Sequence, residues 1–579
     1  MKKAVMLKMA DNQWLWRNPL PQGNALRAVT YAEGRFVAVG QFGTIMTSPD
    51  GSNWTIQNSG TTNYLSGVGY GNGLYVAVGM EGTILTSPNG VIWSPQESVT
   101  SAWLDDVTYG NGVYVAVGQL GTIVTSTDGQ NWSSNGVSVF WLQGVAFGNN
   151  TFVAVGIGGS IFTSADGISW TNQGSFGGFP LNSVIYAQGQ FVAVGGGGTI
   201  LTSSDGETWS TAASNSTAFL EEVTFGKGLY VAIGRDLDLN TGVVLTSTDG
   251  QEWNVQLTDD LLLSLSIASS PDLFAVTGLG GIILTSSDGI SWTRQSSGVY
   301  EELHDVVFGS NMLVAVGNNG TIMTSPDGLI WLVRNSGISN HLWGVTYGNK
   351  TYIAVGDNGT ILRSSNGVNW SLEPVPISNR LKAVTFGDGR FTIVGEKGII
   401  LTSGDGRDWQ VVESDATSTL NGVAFGNDRF VAVGNSRMIL VSSDGQDWQQ
   451  VEVEAGFESL LGISHGQGLF VAAGDAGLVM TSPDGLTWTI LRIGEDAPFW
   501  LDVVFCQDRF ALSGTPGKVA YSNDGTIWEV QNTATDHFLY GITCSPEGDV
   551  AVGDFGTILQ SPSSGTGAGK NVYSSDIAC

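Results

Sequence analysis

The sequence predicts an all-β protein, a β-propeller of fourteen four-stranded blades. Three observations predict it: a phrase of about 39 residues that repeats along nearly the whole chain, Gly-containing turns that cut each repeat into four short segments, and the absence of any helical period. The repeat is marked by Trp54, Trp93, Trp132, Trp170, Trp209, Trp253, Trp292, Trp331, Trp370, Trp409, Trp448, Trp488 and Trp528, spaced 38 to 40 residues apart with one gap of 44. Residues 65 to 93 show one unit. Leu65 to Tyr70 alternates, Tyr75 to Gly79 is apolar on both faces, Gly82 to Ser87 runs into a turn, and the fourth segment carries Trp93.

Composition agrees. Glycine supplies 82 of 579 residues, about twice its usual share, without the period of collagen. Hydrophobic residues make up 42%, enough for a large core. Asp and Glu outnumber Lys and Arg by 52 to 23, a formal charge of −29 that repels phosphate backbones and anionic membranes, so neither nucleic acid nor membrane insertion is expected. The apolar run before Lys8 is too short for a recognisable signal peptide, and no stretch reaches membrane-spanning length. The compartment is left open between cytoplasm and unconventional export. Cys506 and Cys544 occupy one register in neighbouring repeats, where a bridge is open but unproven.

The turn before each Trp reads Ser-x-Asp-Gly-x-x-Trp, as at Ser48, Asp50, Gly51 and Trp54. A short Asp side chain accepts backbone N–H groups within such a turn, and Gly supplies the positive φ. Asp50, Asp128, Asp166, Asp205, Asp249, Asp288, Asp327, Asp405, Asp444, Asp484 and Asp524 are therefore read as structural; Asn89 and Asn366 replace Asp in two repeats, which a hydrogen-bonding role tolerates. The Trp ring is expected to pack between neighbouring blades.

With these phrases, and with Val37-Ala-Val-Gly40 and Gly43-Thr-Ile45, the chain resembles the Asp-box, or BNR, repeat propellers, and more closely the bacterial proteins similar to the photosystem II stability and assembly factor. The sialidase form of the box has one more residue between Asp and Trp. The resemblance implies a propeller that holds other proteins. Members of that branch are associated with a basic patch, and the recurring basic register here is Arg35, Arg390, Arg429 and Arg509.

The two ends predict closure. The final repeat stops after its third segment, and the segment around Trp14 to Asn18 is a fourth strand with no preceding three. A strand over 12–18 is expected to complete the last blade, 539–562, of a propeller array over 11–565, between a lead at 1–10 and a tail at 566–579. Fourteen is twice seven, so two seven-bladed rings are expected, with one large ring as the alternative.

Candidate binding residues lie in the crossovers between blades. Tyr64, Trp103, Trp141, Phe219, Phe499 and Phe538 share a position four before the first-strand Val or Ile, and joined ends would bring most of them into one arc that stacks on sugars or anchors a protein. The alternative is that they cap the core between blades. Asp105-Asp106, Glu221-Glu222, Glu301-Glu302 and Asp502 share the crossovers and are expected on a solvated surface, with binding of a basic partner or calcium as the alternative. An insertion with Asp236, Asp238 and Asn240 partly resembles a calcium loop, but Gly comes one position late and Ser247 stands where a bidentate Glu belongs.

No catalytic residue is assigned. His304, His341, His465 and His537 lie in separate repeats without ligand spacing and most are expected at the surface, and no nucleophile elbow or phosphate loop interrupts the strands. The function expected is a protein-binding scaffold or assembly factor. A carbohydrate-binding surface protein comes second and a glycoside hydrolase third.

Overall fold

The computed structural model describes residues 14–562 apart from 21, 237, 259–263, 296–297, 455 and 534; the lead at 1–10, residues 11–13 and the tail lie outside the described residues. It contains fourteen antiparallel sheets of four strands, each a blade. In the blade built from Leu65–Gly71, Leu74–Gly79, Ile84–Ser87 and Ser94–Pro95, the alternating first strand lies innermost, and the second buries Tyr75, Val76, Ala77 and Val78 completely. That burial on both faces is why the Val-Ala-Val phrase lacks alternation.

The blades form two units of seven. Residues 19–298 make one, here ring I; residues 14–18 and 299–562 make the other, ring II. In ring I the innermost strands pack in sequence from Leu26–Ala32 to Ser264–Ser269, and the last then packs on the first, where the Val29 amide donates to Ser266 Oγ at 2.9 Å. Ring II closes likewise, its last inner strand, Leu539–Ser545, packing on its first, Leu303–Gly309. The closing strand is Leu15–Asn18, which pairs antiparallel with Ile558–Gln560 and finishes the last blade of ring II. Apolar clusters fill the gaps between blades; Val37, Val39 and Ile45 of one blade meet Leu65, Val68 and Tyr75 of the next.

The Ser-x-Asp-Gly turns behave as hydrogen-bonded caps. Asp50 Oδ1 accepts the amides of Ser52 at 2.9 Å and Asn53 at 2.8 Å, and Trp54 Nε1 donates to the Gly51 carbonyl at 2.8 Å. Asn89 Oδ1 does the same for Val91 and Ile92, both at 3.0 Å. Gly51 has φ +74°, and a Cβ there would lie 3.2 Å from Leu273 of the preceding blade, so turn chemistry and blade packing both ask for glycine.

Cys506 and Cys544, with Cα atoms 6.2 Å apart, form a disulfide between the last two blades of ring II. No helix among the described residues is long and apolar enough to cross a membrane.

Candidate functional sites at the ring rims

The rim of each ring is built by one register. Each inner strand carries a buried residue near its start, usually Leu, followed by a bulge: Leu104 pairs with Gly118 and Asp106 with Val117, leaving Asp105 as the extra residue. Leu104 faces the core, and the extra residue beside it is turned to the neighbouring blade, where Asp105 meets Trp141. The chain passes so close here that a Cβ on Gly118 would lie 2.0 Å from the Trp103 carbonyl oxygen, which explains the glycine ending each second strand. The residue after the core Leu is Arg27, Ser66, Asp105, Gln143, Asn182 and Glu221 around ring I, and His304, Trp343, Lys382, Asn421 and Tyr540 around ring II. The framework repeats while this position varies.

In ring I, three of the predicted aromatics form a continuous row. Tyr64 and Trp103 have ring centroids 5.5 Å apart, Trp103 and Trp141 6.1 Å, and Trp141 and Phe140 6.5 Å. Trp103 Nε1 donates to Ser66 Oγ and Trp141 Nε1 to Asp105 Oδ2, so both indoles are pinned. All three predicted aromatics are partly buried, but Phe140 is 63% exposed and Leu120, on the adjacent strand turn, 67%. The Leu120 amide donates to the Phe140 carbonyl at 2.7 Å, which joins the two into one apolar ledge. Phe219 stands apart, with Arg235 5.9 Å from its ring centroid and paired with Glu221 at 3.0 Å.

The expected single arc is corrected by the closure of ring I. Phe499 and Phe538, 48% and 46% exposed, belong to ring II, whose last blade neighbours its own first blade, while Tyr64, Trp103 and Trp141 belong to ring I.

The solvated-surface expectation is also corrected for Asp106, Glu222 and Asp502. Asp106 Oδ1 accepts its neighbour Val107 N–H at 2.8 Å, and Oδ2 accepts Val145 N–H of the next blade at 2.9 Å. Asp305 does the same with Val306 and Val345, and Asp502 with Val503 and Ile542; Glu222 accepts Ile267 N–H at 2.7 Å. These carboxylates tie one inner strand to the next instead of forming a solvated face. Burial pushes Asp106 up to about 6 and Glu222 to about 7, outweighing their hydrogen bonds. Asp105 rises to about 7 by burial, against the opposing pull of the Trp141 hydrogen bond and Arg27.

In ring II the rim carries a different cluster, which sequence reasoning missed. His304 stacks on Trp343 at 4.2 Å and 20°, and Lys382 Nζ stands 3.7 Å from the Trp343 centroid. Trp343 Nε1 donates to Asp357 Oδ1 at 2.8 Å, and Arg380 Nε donates to the same oxygen at 2.6 Å. Burial, then Arg380, hold Lys382 down to about 8. His304 and His537 are buried, not at the surface; burial lowers both to about 4 and keeps them neutral.

In the insertion, Asp236 Oδ1 accepts the amides of Asp238 and Leu239, both at 3.0 Å, so that oxygen shapes the turn. The described residues contain no group of three or more His, Cys, Asp or Glu that could hold a metal ion. Of the recurring arginines, Arg509 pairs with buried Asp549 at 2.6 Å.

Fourteen blades in two rings define a β-propeller protein. The family described as "DUF6242 beta propeller domain" matches residues 376–499. Among solved structures the chain is similar to PorZ, a surface component of the type-IX secretion system of Porphyromonas gingivalis, at 11% identity over 95% of this chain and 88% of that one, with a TM-score of 0.66. It is similar to an ancestral GH74 enzyme at 11% identity, covering 97% and 100%, also at 0.66. YCF48 bound to D1 peptide matches 46% of this chain and 93% of its own at 19% identity, with a TM-score of 0.39. No curated protein matches. At these identities the shared property is the fold.

Proposed function

We propose that this protein is a non-catalytic scaffold that binds another protein through the rim of ring I. The observation that carries the reading is the row from Tyr64 through Trp103 and Trp141 to exposed Phe140 and Leu120, with both indoles fixed by hydrogen bonds. Rigid aromatics beside an exposed apolar ledge supply contact area at little entropic cost, which is the make-up of an interface anchor. The non-catalytic part is supported by the state of the rim carboxylates. Asp106 and Glu222 already serve backbone amides and Asp105 an indole N–H, so these three carboxylates are committed to structural hydrogen bonds.

The turn geometry supports reading the Ser-x-Asp-Gly-x-x-Trp segments as Asp-box turns, as the sequence resemblance implies. A carbohydrate-binding role is the second reading, favoured by the adjacent indoles of Trp103 and Trp141 beside Asp105. PorZ and the GH74 enzyme differ in role at equal similarity, so they do not choose between the two.

A pulldown with the purified chain, beside a variant carrying Trp103→Ala and Trp141→Ala, tests the proposal. A stoichiometric protein partner lost only in the variant supports it. Glycan-array binding that disappears in the variant, with no protein partner, moves the role to the second reading.

A further inference from the structure

The rim of ring II holds an ammonium group with no acceptor among the described residues. Lys382 directly follows the fully buried Leu381, at the point where the strand register shifts, and its side chain reaches back to Trp343 of the preceding blade. His304, Trp343 and Lys382 share this register in three consecutive blades, and their side chains stack in blade order: His304 covers one face of the indole, and Lys382 Nζ approaches the other at 3.7 Å. The indole attracts the charge. It offers no lone pair to the three ammonium N–H donors.

The nearby carboxylates are engaged elsewhere. Asp357 Oδ1 receives both Trp343 Nε1 and Arg380 Nε, Glu396 faces Arg380 NH1 at 3.6 Å, and Glu302 Oε2 receives Asn318 Nδ2 at 3.0 Å. No hydrogen bond or ion pair within 4 Å reaches Lys382 from the described residues. A half-buried charge held in place without a hydrogen-bonding counterpart is costly unless something else supplies the acceptor. Arg380, paired with Asp357 and Glu396, has its guanidinium carbon 5.0 Å from the same indole and places a second cation beside it.

We infer that the rim of ring II is a binding site for a small oxyanion, a carboxylate or phosphate group, received by the Lys382 ammonium with Arg380 alongside. Both faces of Trp343 are covered, so the site is not a stacking platform for a sugar. It lies entirely within ring II and does not depend on the protein-binding role proposed for ring I.

The full chain has nine lysines, few enough for selective isotope labelling of their side chains and observation by NMR. Lys382→Gln assigns the resonance, and the wild-type chain is titrated with acetate, then with inorganic phosphate, each against sodium chloride at matched ionic strength. A saturable shift of the Lys382 signal, absent at Lys350 and Lys397, supports the site. The anion that saturates at lower concentration identifies the group. A Lys382 signal that stays still, or drifts with salt as Lys350 does, overturns the inference, and Lys382→Arg supplies the same assignment should the glutamine variant not fold.

Discussion

Asn18 and Val299, 281 residues apart in the chain, hold each other in both directions: Asn18 Nδ2 donates to the Val299 carbonyl at 2.8 Å, and the Val299 amide donates to Asn18 Oδ1 at 3.1 Å. The same Nδ2 donates to the Gly556 carbonyl at 2.6 Å, and Asn18 is buried. One side chain therefore ties the closing strand, the start of ring II and its last turn together.

Asn18→Ala leaves two carbonyls and an amide unsatisfied and is expected to cost ring II about 2–4 kcal/mol. Denaturant unfolding gives the loss. Hydrogen exchange is expected to locate it in Leu15–Asn18 and Ile558–Gln560, with ring I strands unchanged.

Stability is expected to fall as pH rises from about 4 to about 7. Asp105, Asp106 and Glu222 have folded values raised to about 7, 6 and 7 by burial, so the folded chain holds their protons more tightly than the unfolded chain does. Their contribution is complete below the ordinary carboxylate value and is lost as pH climbs through the raised one. At the acid end the sign reverses. Amide hydrogen bonds lower Asp50 and Asp288 to about 2, so the stability they give is lost as pH falls from the ordinary value toward that point. Thermal melts across this range check the maximum between the two, and Glu222→Gln is expected to flatten the descending limb.

Asp50→Asn is expected to leave the turn nearly as stable, because Asn89 and Asn366 make the same paired acceptance in their own turns. Asp50→Ala removes both acceptances and is expected to cost about 1 kcal/mol. Chemical denaturation of the two variants separates an acceptor role from one that needs the charge.

Reduction of the Cys506–Cys544 bridge, or replacement of both cysteines by alanine, frees a loop of 38 residues and is expected to cost ring II about 2–4 kcal/mol. Unfolding with and without reductant measures it, and the alanine pair is expected to show no further response to reductant.

The architecture was legible because it repeats. The Trp spacing, the turn residues and the orphan strand ending at Asn18 each state a local rule that every blade obeys, and the strand pairing places that strand beside Ile558–Gln560. The rims were less legible because their contacts run across blades, between residues about one repeat apart. Asp106 looks like a surface acid until the bulge at Asp105 aims it at the Val145 amide, and His304 looks exposed until Trp343 and Tyr540 cover it. Phe499 resembles Trp103 in register, yet ring closure gives them different neighbours. One signal was available: the position after the core Leu changes from blade to blade, from Arg27 to Lys382 to Tyr540, while the Leu before it and the Val or Ile two places on recur.

The central claim, a protein partner seated on the ring I rim, is tested most directly by a photo-crosslinking amino acid at position 140, with position 330 on an exposed outer turn as the control. The account predicts one protein adduct from position 140, competed by the unlabelled chain but not by the variant carrying Trp103→Ala and Trp141→Ala, and none from position 330. No adduct at position 140, or equal adducts at both positions, would contradict it.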